Sequence, residues 1–270
     1  MTLIVKPGFN GMTDADAIAY VNAVEAADGQ LLEFGVGKAI NDFVVGCKLD
    51  NTWSAIKASC ILAGARTLAG ALVPLAGTAP TNVGGLFVAG DYNRKTGLVG
   101  NGSTKYLNSN RPLNADPQNS HHLAVFVQVA GTGPGSNYAG ASGAGAAPWN
   151  PETSIGFFTS GPFLYFNNRS GDATALVVYN QQAASGFIGT TRSISSSFSG
   201  RVAGSNYSQS TASSTPPATN LFVFARQRLG GPESPTNGRL AFYSIGESLD
   251  LALLDARITT LINAFAAAIP

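Results

Sequence analysis

Charge is scarce in this chain. Asp, Glu, Lys and Arg make up 11% of its 270 residues, against roughly 25% in an ordinary soluble domain. The net charge is +1, so no global field draws in nucleic acid or an anionic membrane surface. Cysteine is scarcer still. Cys47 and Cys60 are the only two, too few for a disulfide scaffold. They read as buried, reduced thiols on neighbouring helices of a chain folded in reducing cytosol. Long apolar runs are missing as well. The opening MTLIVKPGFNG has no basic stretch ahead of Leu3–Val5 and is not expected to act as a secretion signal. Leu249–Ile269 comes nearest to a membrane span. Asp250, Asp255, Arg257 and Asn263 interrupt it, short of the roughly 18 apolar residues that a crossing needs.

The familiar chemical motifs are absent too. There is no Walker A sequence, no strand–GxGxxG–helix unit and no G-x-S-x-G elbow. His121 and His122 are the only histidines. Neighbours on a strand point to opposite faces, so they read as strand-edge imidazoles rather than as a metal pair. Glycoside hydrolysis on a sandwich needs two carboxyls facing one cleft, most economically two residues apart on a strand. Glu25, Glu33, Glu152, Glu233 and Glu247 fall instead on expected helices or loops. Glu247 and Asp250 sit at a helix start, where acids serve the cap. Asp91 and Asn93 read as turn formers rather than calcium ligands. No catalytic residue, metal site or cofactor is expected.

What the sequence does contain is a change of period. Thr13 is placed to cap a helix that closes at Gly29. Leu32, Val36, Ala39, Ile40, Phe43 and Val44 mark a second helix ending at Gly46. Trp53, Ile56, Cys60 and Ala63 suggest a third. Beyond Pro74 the period becomes two. Strands are expected near 86–89, 105–107, 123–129, 155–158, 163–167, 175–180, 187–192, 198–203, 221–226 and 240–245, with 131–151 and 205–219 as long loops. Within the first loop Tyr138 and Trp149 are the aromatic candidates for glycan or partner contact. Leu251, Leu254, Ile258, Leu261, Ile262 and Phe265 then form the stripe of a last helix. The fold expected is mainly β. An antiparallel jelly-roll sandwich (72–246) follows a small three-helix unit (1–71) and precedes a C-terminal amphipathic helix (247–270).

Three segments carry a family resemblance: DYNRKTGLVGNGSTKYLNSNR (Asp91–Arg111), the HHLAVFVQ strand, and RLAFYSIGESLDLALLDARI near the end. They resemble tailed-phage virion proteins built on a concanavalin A-like (laminin-G-like) jelly roll. AYVNAVEAADGQLLEFGVGKAINDFVVGCK and TWSAIKASCILAGARTL are similar to the helical preamble of such proteins. The resemblance implies a non-enzymatic virion protein of tail-fibre type, contributing to host attachment. Its partners would be other virion proteins and a host-surface glycan. The alternatives are a capsid-decorating or baseplate subunit that binds only virion proteins and, favoured least, a polysaccharide-degrading enzyme. The apolar helix stripes must cover an outer sheet face, pack together or meet another subunit; with the resemblance, a homo-oligomer is expected, a trimer above all. Neither nucleic-acid binding nor a membrane span is expected.

Overall fold

The computed structural model describes residues 12–133, 135–143, 151–158 and 161–270. Two helices open it, α1 (Ala15–Asp28) and α2 (Phe34–Leu49). They lead into β1 (Ile56–Ile61) and a single helical turn, α3 (Leu68–Ala71). Short strands follow: β2 (Thr81–Asn82), β3 (Tyr92–Asn93), β4 (Gly97–Val99) and β5 (Leu107–Pro112). The long ones come next: β6 (His121–Val129), β7 (Gly135–Ser142), β8 (Glu152–Phe158), β9 (Phe163–Ser170), β10 (Leu176–Tyr179) and β11 (Gly186–Arg192). The rest are β12 (Ser197–Val202), β13 (Ser205–Ser210), β14 (Asn220–Val223), β15 (Arg226–Arg228), β16 (Gly231–Glu233), β17 (Arg239–Gly246) and the closing helix α4 (Leu251–Ala268).

The strands form two sheets, mainly antiparallel, packed face to face. One has eight strands in the order β13-β12-β11-β6-β17-β4-β3, with β1 also on β17. The other has nine, ordered β10-β9-β8-β7-β14-β5-β2, with β15 and β16 attached at β7. Alternation does the sorting. On β6, Leu123, Val125 and Val127 point between the sheets, where Ile155, Phe157, Leu164, Phe166 and Leu176 meet them. Ala124 and Phe126 point the other way, onto the helices.

The helices cover the outer face of the first sheet. Val21, Val24, Val36, Ile40, Phe43 and Val44 join the α4 stripe over Phe187, Ala241 and Phe242. Phe43 and Phe242 meet edge to face at 5.9 Å. Each fully buried side chain of this size contributes about 1.5–3 kcal/mol relative to leaving it in water. Arg257 of α4 ties to Asp50 at 2.7 Å and Arg201 of β12 to Asp255 at 2.8 Å. Among the described residues, α4 is the one helix whose length and composition would suit a membrane crossing. Its stripe is engaged by α2 and β11 instead. The stripes that suggested a second subunit are thus covered within the chain.

Several expectations need correction. Asp14 rather than Thr13 caps α1, its carboxylate accepting from the Asp16 and Ala17 amides. α2 runs on through Gly46. A Cβ there would lie 2.7 Å from the Arg257 guanidinium, so this glycine admits α4 rather than stopping α2. The third helix is β1, paired antiparallel with β17. Ala58, Cys60 and Leu62 enter the inter-sheet core, while Ile61 and Ala63 enter the helical one. A short apolar run buried on both faces satisfies either period. Residues 1–71 therefore contribute a sheet strand as well as helices. Cys47 and Cys60 are free and buried as expected, but Cys60 lies on a strand.

The stretch 86–89 is not a strand. Gly84 and Gly85 adopt positive φ, and the Asp91 carboxylate ties back to the Val88 amide at 2.8 Å. Conversely, both expected loops contain strands. Gly135–Ser142 is β7, where Ala139 and Ala141 fill the core and Gly140 lets β8 approach, a Cβ there falling 2.7 Å from Ser154. Ser205–Ser210 is the edge strand β13, with alternate residues in solvent.

Candidate functional site

Among the described residues, no helix packs on the outside of the second sheet. On β8, β9 and β10 the inward set is Ile155, Phe157, Leu164, Phe166, Leu176 and Val178. One residue out of step stand Phe158, Phe163, Tyr165, Val177 and Tyr179, on the outer face. Their rings form a connected shelf. Phe158 lies 5.1 Å from Phe163 and 5.4 Å from Tyr165, and Phe163 lies 6.0 Å from Tyr179. Tyr179 is 69% exposed, Phe158 39% and Val177 36%. Three large apolar side chains held together in solvent call for a functional explanation where single ones do not.

The shelf is built by its neighbours. A Cβ at Gly156 would fall 2.3 Å from the Tyr165 hydroxyl, so the absent side chain lets that ring lie flat across β8. The Tyr165 hydroxyl donates to Asn137 Oδ1 at 2.8 Å, which pins it. Gly135, Ala175, Val177 and Ser234 complete a groove of about 280 Å³ with Arg226 at one end.

Arg226 anchors a small ion cluster. It donates to Glu152 Oε1 at 2.8 Å and from Nε to Glu233 Oε2 at 3.0 Å. Arg228 reaches Glu233 Oε1 at 2.5 Å, and Ser154 donates to Glu152. Burial works against the Arg226 charge, but Glu152 and the hydrogen bonds outweigh it and the guanidinium holds its proton more tightly than usual. Burial likewise opposes the Glu233 charge. The two arginines more than offset it and keep its carboxyl below the ordinary range. Glu152 opens β8 and Glu233 closes β16, so neither sits in a loop. They face one arginine rather than an open cleft.

Of the sequence candidates, Tyr138 is not on the surface. It is fully buried on β7, stacked 5.0 Å from Phe157, and its oxygen accepts from the Gly131 amide at 3.3 Å. Burial pushes its phenol up to about 12. The small residues around it resembled loop composition, whereas they are what a packed strand uses where sheets approach closely. Trp149 lies outside the described residues. The shelf was missed, although a signal existed: three successive strands carry apolar residues on both alternate sets, more than one core face requires.

The two histidines open β6, as expected, and point to opposite faces as the alternation requires. Both are fully buried. His122 faces the helical side. Its Nδ1–H donates to the Glu247 carbonyl at 2.6 Å and its Nε2 accepts from the Ser244 hydroxyl at 2.7 Å, since a carbonyl can only accept. Burial pushes His122 down to about 4 and His121 well below its usual value. Asp91 is held by Lys105 at 2.6 Å and Asn93 caps its own turn. Asp250 caps α4, and Glu247 pairs with Lys57 at 3.0 Å. Among the described residues, no three His, Cys, Asp or Glu side chains gather as a metal site.

No protein-family model matches the sequence, and no curated protein matches it. Solved structures do. The binding domain of botulinum neurotoxin serotype D is similar over 80% of this chain and 52% of its own, with TM-score 0.51 and 10% identity. The CBM40 of the Ruminococcus gnavus IT-sialidase is similar over 55% of this chain and 91% of its own, at TM-score 0.38 and 10% identity. The NanB sialidase of Streptococcus pneumoniae is similar at TM-score 0.40 and 14% identity, over 55% of this chain but 24% of that one. This chain thus spans about a quarter of the NanB sialidase and about half of the toxin domain. At such identity the likeness to the toxin domain shows the fold alone, a β-sandwich, and nothing about a ligand.

Proposed function

We propose that this chain is a non-enzymatic adhesion module of a tailed-phage virion and that the aromatic shelf on its second sheet binds a saccharide. The observation that carries the binding half is the set of contacting rings, Phe158, Phe163, Tyr165 and Tyr179, held on a sheet face that no helix among the described residues covers. Flat aromatic faces suit the apolar side of a sugar ring, and the groove, about 280 Å³, is close to the lower end of small-ligand pockets, about 300 Å³. Glu152 and Glu233 are both committed to Arg226, which favours binding over hydrolysis.

The virion half rests on the resemblance of Asp91–Arg111, the β6 strand and the β17–α4 segment to tailed-phage proteins. In this reading other virion proteins are the assembly partners. A homo-oligomer rests on the resemblance alone, because the helix stripes are covered within the chain. A glycan array tests the binding half. Wild-type protein should retain saccharides that Tyr179→Ala releases, and no retention, or retention unchanged by the substitution, would sink it. Antibody labelling of particles tests the virion half: a label at the tail tip supports adhesion, a label spread over the head supports the decorating alternative, and no label removes the protein from the particle.

A further inference from the structure

The charges around the shelf are already paired, which constrains what can bind there. Arg226 is the one charged side chain among the described residues lining the groove. Its donors go to Glu152 and Glu233, and Arg228 binds the second oxygen of Glu233. Two guanidiniums and two carboxylates cancel. The Tyr165 hydroxyl is spent on Asn137. What faces a ligand is ring surface, Val177, Ala175 and the neutral Ser234.

Resting on the saccharide reading above, we infer that the ligand is an uncharged saccharide, seated by the apolar C–H face of a pyranose ring, and that carboxylated or sulfated glycans are disfavoured. An anionic group brought onto the shelf would leave water for a groove whose described residues offer no uncommitted cation. Desolvating an ion without a partner is costly. Drawing Arg226 away to meet it would part the fully buried Glu152 from its counter-charge. A neutral ring pays no such penalty and gains the stacking contact.

The test compares a neutral set, glucose and galactose trisaccharides, with an anionic set, sialyllactose and trigalacturonate, by isothermal titration of the full chain. The neutral set should bind, with affinity changing by less than about twofold between about 50 and 500 mM NaCl, since no ion pair is there to be screened. The anionic set should bind at least about tenfold more weakly, the penalty of an unpaired charge. Glu233→Gln removes one carboxylate at a position 32% exposed and leaves the cluster at +1. It should raise anionic binding severalfold and leave neutral binding unchanged. Anionic glycans binding wild type as tightly as neutral ones, with Tyr179→Ala abolishing both, would overturn the charge inference and leave the shelf as the site. Absence of all saccharide binding, or binding indifferent to Tyr179→Ala, would overturn the saccharide reading itself.

Discussion

The two outer faces of the sandwich have opposite fates. Both are apolar: Ala124, Phe126, Phe187, Ala241 and Phe242 on the first sheet, Phe158, Phe163, Tyr165, Val177 and Tyr179 on the second. Three helices seal the first into a core. The second keeps Tyr179 and Phe158 in water. The residue types differ in a telling way. The sealed face mixes alanine with phenylalanine, small and large, as interlocking with helices demands. The open face carries a contiguous run of rings, in which Tyr179 stands in solvent while Tyr165 beneath is buried with its hydroxyl on Asn137. Apolar surface serves stability where it is covered and recognition where it is not.

The largest expected effect lies on the sealed face. Phe242→Ala should cost about 3–5 kcal/mol of folding stability, the usual range for a fully buried ring, read as a lower midpoint in urea. A cost below about 0.5 kcal/mol, typical of the surface, would mean the helices do not form a common core with the sheet.

Acid should act next, through the same side. His122 is neutral in the fold with its pKa near 4, while the unfolded chain takes up that proton near pH 6.5. The contribution is therefore fully present above about pH 6.5 and is lost as pH falls toward 4, on the order of 3 kcal/mol. Urea midpoints across that window should fall, and His122→Gln should flatten the decline. An unchanged slope in the variant would show that His122 is not the group responsible.

The open face should give a smaller and different effect. Tyr179→Ala should lower saccharide affinity about tenfold, near 1.4 kcal/mol and within the range of aromatic contacts, while folding stability moves by less than about 0.5 kcal/mol. A variant that loses stability and binding together would erase the contrast between the faces. The smallest effect is expected for Val177→Ser, at the edge of the shelf. It should leave stability within about 0.5 kcal/mol and weaken binding by less than Tyr179→Ala does, by the same titration.

Much of this was legible beforehand. The two opening helices, the Gly29 stop and the α4 stripe appear in the fold as read, whereas the change to a period of two comes at Ile56 rather than after Pro74. The errors cluster where composition misleads. Gly135–Ser142 is so rich in small residues that it reads as loop, yet small size is what lets β7 sit close to β8. Ile56–Ile61 is apolar on both faces and reads as helix by spacing. The candidate site failed for a related reason. Tyr138 stood out because its neighbours were small, whereas the shelf residues fell within the expected strands 155–158, 163–167 and 175–180.

Local sequence determined which segments bury apolar surface and with what period, because side-chain spacing along a helix or strand is fixed by backbone geometry. That was enough for a mainly β sandwich with helices at both ends. It did not determine which apolar face would be covered. Both outer faces carry hydrophobic residues at the same alternation, and nothing in β6, β17, β8 or β9 alone says where α1, α2 and α4 will pack. That choice belongs to the tertiary structure: β1 pairs with β17 and α4 follows β17 directly, which brings both helical segments to one sheet and leaves the other sheet's rings to face water.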